Sequence, residues 1–160
     1  MNKMKIPVIG ISGFKNSGKT TLIEGLLDFF VGKGMRVAVV KHSHEPIESD
    51  REGSDTDRFF RLGASVLAYN GGSVFIKKRL KEPLALKDAI AQLGGEYDLI
   101  LVEGLKGSDI DKIWLLREGE EHIDETISNV IAVLPWDGNH LTKALTAIEK
   151  LFLEKYQREL

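Results

Sequence analysis

One stretch near the amino terminus, residues 6–21, constrains the fold of this chain more than any other. It reads IPVIGISGFKNSGKTT and begins with an apolar run that is typical of a buried parallel strand. The run enters a loop that matches G-x-x-x-x-G-K-[ST], the P-loop pattern, and a helical pattern follows directly. A strand, a glycine-rich loop and a helix in this order predict a site for the phosphate chain of a nucleotide.

The residue types in this loop fit phosphate chemistry. Gly13 and Gly18 let the backbone turn so that successive N–H groups point at phosphate oxygens. The positive end of the following helix points at the same place. Lys19 reaches the β- and γ-phosphates, and the Thr20 hydroxyl binds Mg²⁺. We therefore assign nucleotide binding to Gly13, Lys15, Asn16, Ser17, Gly18, Lys19, Thr20 and Thr21.

Length and composition narrow the class of protein. The 160 residues predict a single nucleotide-binding domain, 1–160. A net charge of −2 gives no indication of nucleic-acid binding, and no apolar stretch approaches the roughly 20 residues of a membrane span. The chain has no cysteine, which excludes disulfides and thiolate metal sites and fits a reducing cytoplasm. We expect a cytoplasmic protein with neither a membrane nor a nucleic acid as its partner.

Helical and strand patterns alternate along the rest of the chain. Further strands are predicted at residues 35–40, 65–69, 73–77, 98–102, 112–117 and 129–134, and helices at 19–32, 55–62, from Pro83 to Gly94, and at 141–156. Asn-Gly-Gly between the strands at 65–69 and 73–77 is typical of a hairpin turn. These patterns predict an α/β protein with a three-layer P-loop NTPase fold, a mostly parallel sheet and a small β-hairpin extension.

A P-loop needs an acid at the carboxyl end of another core strand to hold Mg²⁺. Glu103 ends the strand at 98–102 and is the best candidate, whereas Asp98 begins that strand and lies at the wrong end. Asp50 lies in a long polar loop, and such loops supply a second metal-facing acid in nucleotide switches. We therefore predict Thr20, Asp50 and Glu103 as metal-binding residues. A solvated loop carboxylate stays the alternative for Asp50.

Polar residues after two other strands complete the predicted site. Lys41 and His42 follow the second strand, where they would contact ligand phosphates or a partner. His42 and His44 point the same way in an extended chain, but zinc would need further ligands. Asp137 follows the last strand, where it is placed to accept hydrogen bonds from N1 and N2 of guanine, although the motif N-K-x-D is absent. Arg58 and Arg61 are either phosphate clamps or members of surface salt bridges.

Several stretches that together span most of the chain carry a family resemblance: residues 13–21, 40–44, Asp50 with 53–55, 61–64, 98–106 and 112–117. They include the motifs K-H-x-H at residues 41–44 and V-E-G-x-K at residues 102–106, whose combination is more specific than the P-loop alone. These stretches resemble the MobB family of molybdopterin-guanine dinucleotide biosynthesis adaptor proteins. Glu45 and Pro46 stand where a further histidine or acid often follows K-H-x-H, which weakens a metal-binding interpretation of the two histidines.

The resemblance implies a GTP-binding protein of the molybdenum cofactor pathway. Such a protein is a homodimer that binds GTP with Mg²⁺ and assists a separate molybdopterin guanylyltransferase, the enzyme that joins GMP to molybdopterin. The resemblance implies weak GTP hydrolysis at most, so that enzymatic activity of the chain itself stays open. The basic positions Lys41 and Lys106, together with 77–81, would face the pterin phosphate or the partner.

Two other classes of function share the P-loop. A small-molecule kinase would need an arginine-rich lid, for which only Arg51, Arg58 and Arg61 are candidates. A metallochaperone GTPase that delivers nickel would normally carry Cys-His ligand clusters, and this chain has no cysteine.

Overall fold

The computed structural model describes residues 6–47, 49–136 and 138–157. Its strands are β1 (Val8–Gly13), β2 (Val37–Lys41), β3 (Val66–Tyr69), β4 (Val74–Lys77), β5 (Leu99–Glu103), β6 (Lys112–Leu115) and β7 (Val130–Leu134). Its helices are α1 (Lys19–Gly32), α2 (Asp55–Arg61), α3 (Leu86–Leu93) and α4 (His140–Leu151), and a π-helical turn, Phe152–Tyr156, continues α4. The predicted elements are all present, with ends that differ by a few residues.

Five of the strands form one parallel sheet in the order β2-β5-β1-β6-β7. The strand β1 lies at its centre, with Ile11 opposite Glu103 of β5 on one side and opposite Ile113 of β6 on the other. The carboxyl end of β1 is therefore flanked by the carboxyl ends of two neighbouring strands. This confirms the predicted α/β fold with a parallel sheet, and it places the P-loop in the middle of the edge where ligands of such sheets bind.

The helices α1 and α4 cover one face of this sheet. Their apolar residues pack against alternate strand residues, as expected because successive side chains of a strand point to opposite faces. Leu22, Leu26 and Phe30 of α1 are buried because their spacing of four places them on one side of the helix. The strands contribute the following residues to the hydrophobic core under these two helices: Ile9, Ile11, Leu99, Leu101, Ile113, Leu115 and Leu134.

Contacts divide the chain into two compact units, and the sheet with α1 and α4 belongs to the first, residues 1–42 and 93–160. The second unit, residues 43–92, contains α2 and the antiparallel hairpin of β3 and β4. The Asn70 side chain closes the hairpin turn by accepting hydrogen bonds from the N–H groups of Gly72 and Ser73. The predicted hairpin is thus confirmed, whereas the single-domain assignment stays a prediction.

Within residues 6–47, 49–136 and 138–157, no helix is both long enough and apolar enough to cross a lipid bilayer.

Candidate functional site

The loop between β1 and α1 has the curved backbone that a phosphate-binding loop requires. Gly13 has φ +148°, and a Cβ there would lie 2.5 Å from the Leu115 carbonyl oxygen and 2.7 Å from the Ser17 hydroxyl oxygen. Asn16 and Gly18 also have positive φ, at 65° and 87°. Neighbouring strand β6 is therefore so close to the start of the loop that only glycine fits there.

The first turn of α1 leaves its N–H groups available to a ligand. Gly18, the residue at the N-cap, has no side chain to accept from them, and no acidic residue lies in the first turn. The buried hydroxyl oxygen of Ser17 has no hydrogen-bond partner in the described chain. Uncapped N–H groups and a hydroxyl at the positive end of a helix fit an anion such as a phosphate group.

Lys19 lies across this loop. Its Nζ donates a hydrogen bond to the Phe14 carbonyl oxygen at 2.7 Å, which uses one of its three N–H bonds. Partial burial lowers the pKa of Lys19, an effect that Glu103 opposes and that the positive charge of Lys41 increases. The ammonium group is thus partly removed from solvent, and Glu103 offsets only part of the resulting penalty, which favours binding of an anion beside it.

The acid predicted at the end of β5 lies where the sequence pattern indicates. A Glu103 carboxylate oxygen lies 3.3 Å from the Thr20 hydroxyl oxygen, which donates to it, and the other lies 3.7 Å from Lys41 Nζ. Only 14% of the Glu103 side chain is exposed. Asp98 lies at the opposite end of the strand, as its place in the sequence predicted, and the structure shows that it binds Arg36.

Close backbone packing holds the loop after β5 beside the second strand. The His42 N–H donates to the Glu103 carbonyl oxygen at 3.1 Å. Gly104 follows with φ +94°, and a Cβ there would lie 3.2 Å from the His42 carbonyl oxygen. The Ser12 hydroxyl donates to the Gly104 carbonyl oxygen at 3.0 Å. These contacts join the ends of β1, β2 and β5 into one rigid edge.

The remaining predicted residues fall into three groups. Lys15, Asn16 and Thr21 are exposed on the loop and the first turn of α1, and Lys41 and His42 are exposed at the end of β2. Asp137 lies outside the described residues. Asp50 belongs to the second unit, and is described there.

An aromatic and cationic cluster lies on the P-loop, and of its members only Lys106 was given a role from the sequence, that of facing a ligand phosphate or a partner. Lys106 Nζ lies 4.7 Å, and the Arg117 guanidinium carbon 4.6 Å, from the centre of the Phe14 ring. The ring packs edge-on against Trp114 at 5.8 Å. Phe14 lies far in sequence from Lys106, Trp114 and Arg117, so no local pattern would have joined it to them.

The second unit contains a network of acids and bases around α2. The Asp57 side chain is 9% exposed and accepts hydrogen bonds from the Gly53 N–H at 3.0 Å and from Arg61 at 2.8 Å. The Gly53 hydrogen bond, and then Arg61 and Lys77, lower the pKa of Asp57. Arg61 is thus a member of a salt bridge, which is one of its two predicted roles. Asp57 itself was not identified from the sequence.

Asp50 belongs to the same network. Its carboxylate accepts a hydrogen bond from the Ser54 hydroxyl at 2.9 Å. Hydrogen bonding by Thr56, and less strongly by Ser54, lowers the pKa of Asp50. Residues of this network line a cavity of about 330 Å³: Ile47, Asp50, Glu52, Asp57, Arg61 and Lys77.

Within the described parts of the chain, no group of three or more His, Asp or Glu side chains is arranged to hold a metal ion.

The fold and the site define a class. A parallel sheet whose central strand passes through a glycine loop into a helix, with an acid at the end of the adjacent strand, is the architecture of P-loop proteins. The sequence profile of the family described as MobB, molybdopterin guanine dinucleotide synthesis protein B, matches residues 8–136. The chain belongs to the MobB family.

Individual relatives agree with this membership. The chain is 40% identical over 117 residues to the molybdopterin-guanine dinucleotide biosynthesis adapter protein of Haemophilus influenzae, covering 71% of this chain and 65% of that protein. It is 36% identical over 133 residues to a putative molybdopterin-guanine dinucleotide biosynthesis adapter protein of Methanocaldococcus jannaschii, covering 78% of this chain and 54% of that protein. The chain thus spans less than two thirds of the length of both relatives.

A solved structure extends the likeness to the fold. The X-ray structure of a MobB protein homolog from Bacillus stearothermophilus superposes with a TM-score of 0.66 at 27% identity, covering 94% of this chain and 99% of that one.

Proposed function

We propose that this protein is a GTP-binding adaptor of molybdopterin-guanine dinucleotide biosynthesis. In this proposal it binds GTP with Mg²⁺ at the P-loop and assists a separate guanylyltransferase, which joins GMP to molybdopterin. The observation that carries the nucleotide site is the P-loop geometry with the Thr20 hydroxyl 3.3 Å from the Glu103 carboxylate. Family membership and the adapter function named for the relatives support the pathway.

The residues of the first unit suit each part of a magnesium nucleotide. Uncapped N–H groups of α1 and the Lys19 ammonium bind the phosphate chain, and a phosphate oxygen replaces the Phe14 carbonyl as the acceptor of Lys19. The Thr20 hydroxyl and the Glu103 carboxylate offer the oxygen ligands that Mg²⁺ prefers. The ion, when bound, neutralises charge on the phosphate oxygens.

Three further assignments belong to the proposal. Lys41, which pairs with Glu103, and His42 lie where they would contact the phosphates or the partner. Asp137 would read guanine N1 and N2. Asp50 is retained as a second metal-facing acid, and hydrogen bonds from Thr56 and Ser54 lower its pKa. The protein would act as a homodimer.

Hydrolysis by the chain itself should be weak at most. Fast P-loop hydrolases position the attacking water with a glutamine or similar group. The two glutamines of the sequence are Gln92, in α3, and Gln157, after the π-helical turn, and neither follows a strand of the parallel sheet. Arg58 and Arg61, candidates for a kinase lid, form ion pairs with acids of their own unit. A site that binds the nucleotide without rapid hydrolysis or phosphoryl transfer fits an adaptor better than a kinase.

Calorimetry tests the nucleotide site. Titration of the protein with GTP and with ATP, both with Mg²⁺, should show tighter binding of GTP, and equal or preferred ATP binding would contradict the proposal. The variant K19A should lose nucleotide binding while its circular dichroism stays unchanged. K33A is the matched control, because Lys33 lies at the other end of α1 and should leave the affinity unaltered.

A second experiment tests the adaptor role. A pull-down from a molybdate-using host should recover the guanylyltransferase, and K19A should recover less of it if nucleotide binding prepares the interface. Incubation with γ-labelled nucleotide and candidate small-molecule acceptors separates the adaptor from a kinase. Rapid transfer of label to an acceptor would overturn the adaptor assignment.

A further inference from the structure

The Phe14 ring lies on the side of the sheet opposite to α1. Ile113 and Leu115 of β6 belong to the core under α1 and α4, so Trp114 between them points to the other face. Trp114 is 1% exposed and meets the Phe14 ring edge-on, which fixes the position of the ring. The aromatic pair therefore forms a rigid platform across the P-loop from the helix that would bind the nucleotide phosphates.

Two cations from different loops lie on this platform. Lys106 comes from the loop after β5 and Arg117 from the loop after β6, and each places its charged group within 4.7 Å of the centre of the Phe14 ring. A cation over an aromatic face is held by the ring quadrupole. Both side chains are nevertheless exposed, so that their charged groups stay accessible to a ligand.

The charged groups of this pair are not engaged in ion pairs within the part of the chain that the structure describes. The Glu120 carboxylate lies beside Arg117, but it accepts a hydrogen bond from the backbone N–H of Arg117, at 3.1 Å, and not from the guanidinium group. Hydrogen bonds from Thr126 lower the pKa of Asp124 first, and the charge of Lys106 lowers it further. Two close positive charges whose charged groups form no ion pair within the described residues create a local field that attracts a dianion.

We propose that Lys106 and Arg117, held on the Phe14 ring, form a second anion site beside the P-loop, which binds the phosphate monoester of a second substrate. This inference rests on the proposed function, in which the P-loop holds the nucleotide. The P-loop already has its own cation, Lys19 at the start of α1, whose Nζ donates to the Phe14 carbonyl oxygen. The planar Arg117 guanidinium can bind two oxygens of a phosphate group, and the Lys106 ammonium adds a point charge.

A phosphate group at this place has two possible sources, the end of the nucleotide or a separate molecule. Titration with inorganic phosphate, followed by ³¹P NMR, distinguishes them when the P-loop holds either Mg-GDP or a non-hydrolysable Mg-GTP analogue. We expect phosphate to bind in both complexes, because the second site lies outside the γ-phosphate position. Binding in the GDP complex alone would assign these cations to the nucleotide and overturn the proposal.

Variants of the cluster test its members. R117Q and K106Q should each weaken phosphate binding about tenfold, while changing affinity for the GTP analogue less than about twofold. R117K should recover part of the loss because it retains the charge. F14L keeps the backbone carbonyl that accepts from Lys19 but removes the ring, and it should weaken phosphate binding about threefold. Unchanged phosphate binding in R117Q and K106Q would overturn the proposal.

Two controls separate this site from the rest of the molecule. K33Q also removes a cation from an aromatic ring, that of Phe29 at 4.8 Å, and it should leave phosphate binding unaltered. K19A without nucleotide should still bind phosphate at the second site. Failure of wild-type protein to bind the GTP analogue would refute the proposed function, whereas loss of phosphate binding in K19A alone would refute only this inference.

Discussion

The glycine that begins the P-loop should be the least replaceable residue of the first unit. In the variant G13A, the new Cβ would lie 2.5 Å from the Leu115 carbonyl oxygen and 2.7 Å from the Ser17 hydroxyl oxygen. Carbon atoms of real side chains essentially never approach backbone oxygen so closely, and the carbonyl belongs to a strand in the middle of the sheet. Substitution must therefore displace β6 or the loop.

The cost of this displacement follows from two contributions. A residue other than glycine with a positive φ such as +148° costs about 1–3 kcal/mol. Inserting an extra carbon into a close-packed region costs about 1–3 kcal/mol more. We expect the free energy of unfolding to fall by about 4 kcal/mol, a large part of the roughly 5–15 kcal/mol that is typical of a domain.

Urea denaturation of G13A and of a matched glycine variant measures this effect. Circular dichroism and the fluorescence of buried Trp114, the strand neighbour of Leu115, both follow unfolding of the first unit. G32A is the control, because a Cβ at Gly32 meets no atom within 4 Å and its φ is not positive. That variant should gain between zero and about 1 kcal/mol. Equal stability of G13A and G32A would refute the steric argument.

Three further predictions concern charged residues. E103Q should reduce the difference in GTP affinity between magnesium and EDTA buffers, measured by calorimetry, because it removes the proposed metal-facing charge. The lowered pKa of Asp57 means that its carboxylate stabilises the fold above pH 4 and that this stabilisation is lost as pH falls. Unfolding free energies of wild type and D57N should hence converge below about pH 4, and a constant difference would contradict this. K112M should lose about 2–3 kcal/mol, measured by urea denaturation, since its ammonium group donates to the carbonyl oxygens of Ser108 and Ser128.

Much of the first unit was predictable because its signals are local. Strand β1, the glycine loop and α1 follow one another along the chain, and each has a pattern that depends only on nearby residues. The position of Glu103 could be predicted as well, because a residue that ends an apolar strand lies at the carboxyl ends of the parallel strands, where the P-loop also begins. The hairpin of β3 and β4 was equally visible through its turn residues. For these elements, spacing along the chain translates directly into position.

Other features depend on residues that only the tertiary structure brings together. Lys112 begins an apolar strand, yet its side chain is completely buried. Its ammonium group donates to the carbonyl oxygen of Ser108 in the preceding loop and to that of Ser128, which the fold brings beside it from the other end of the loop after β6. Asp57 is one of several acids in a polar segment, and its burial depends on Lys77 of β4 and on the turn before α2.

The P-loop itself shows both kinds of information. Residues 13–21 determined by their own spacing that the chain carries a phosphate-binding loop, since backbone curvature and helix polarity are local properties. What lies beside that loop was decided by the sheet order, which places β5 and β6 on either side of β1. Parallel pairing brings Lys106 and Arg117, from loops far in sequence from the P-loop, to the Phe14 ring, and no periodicity along the chain encodes that contact.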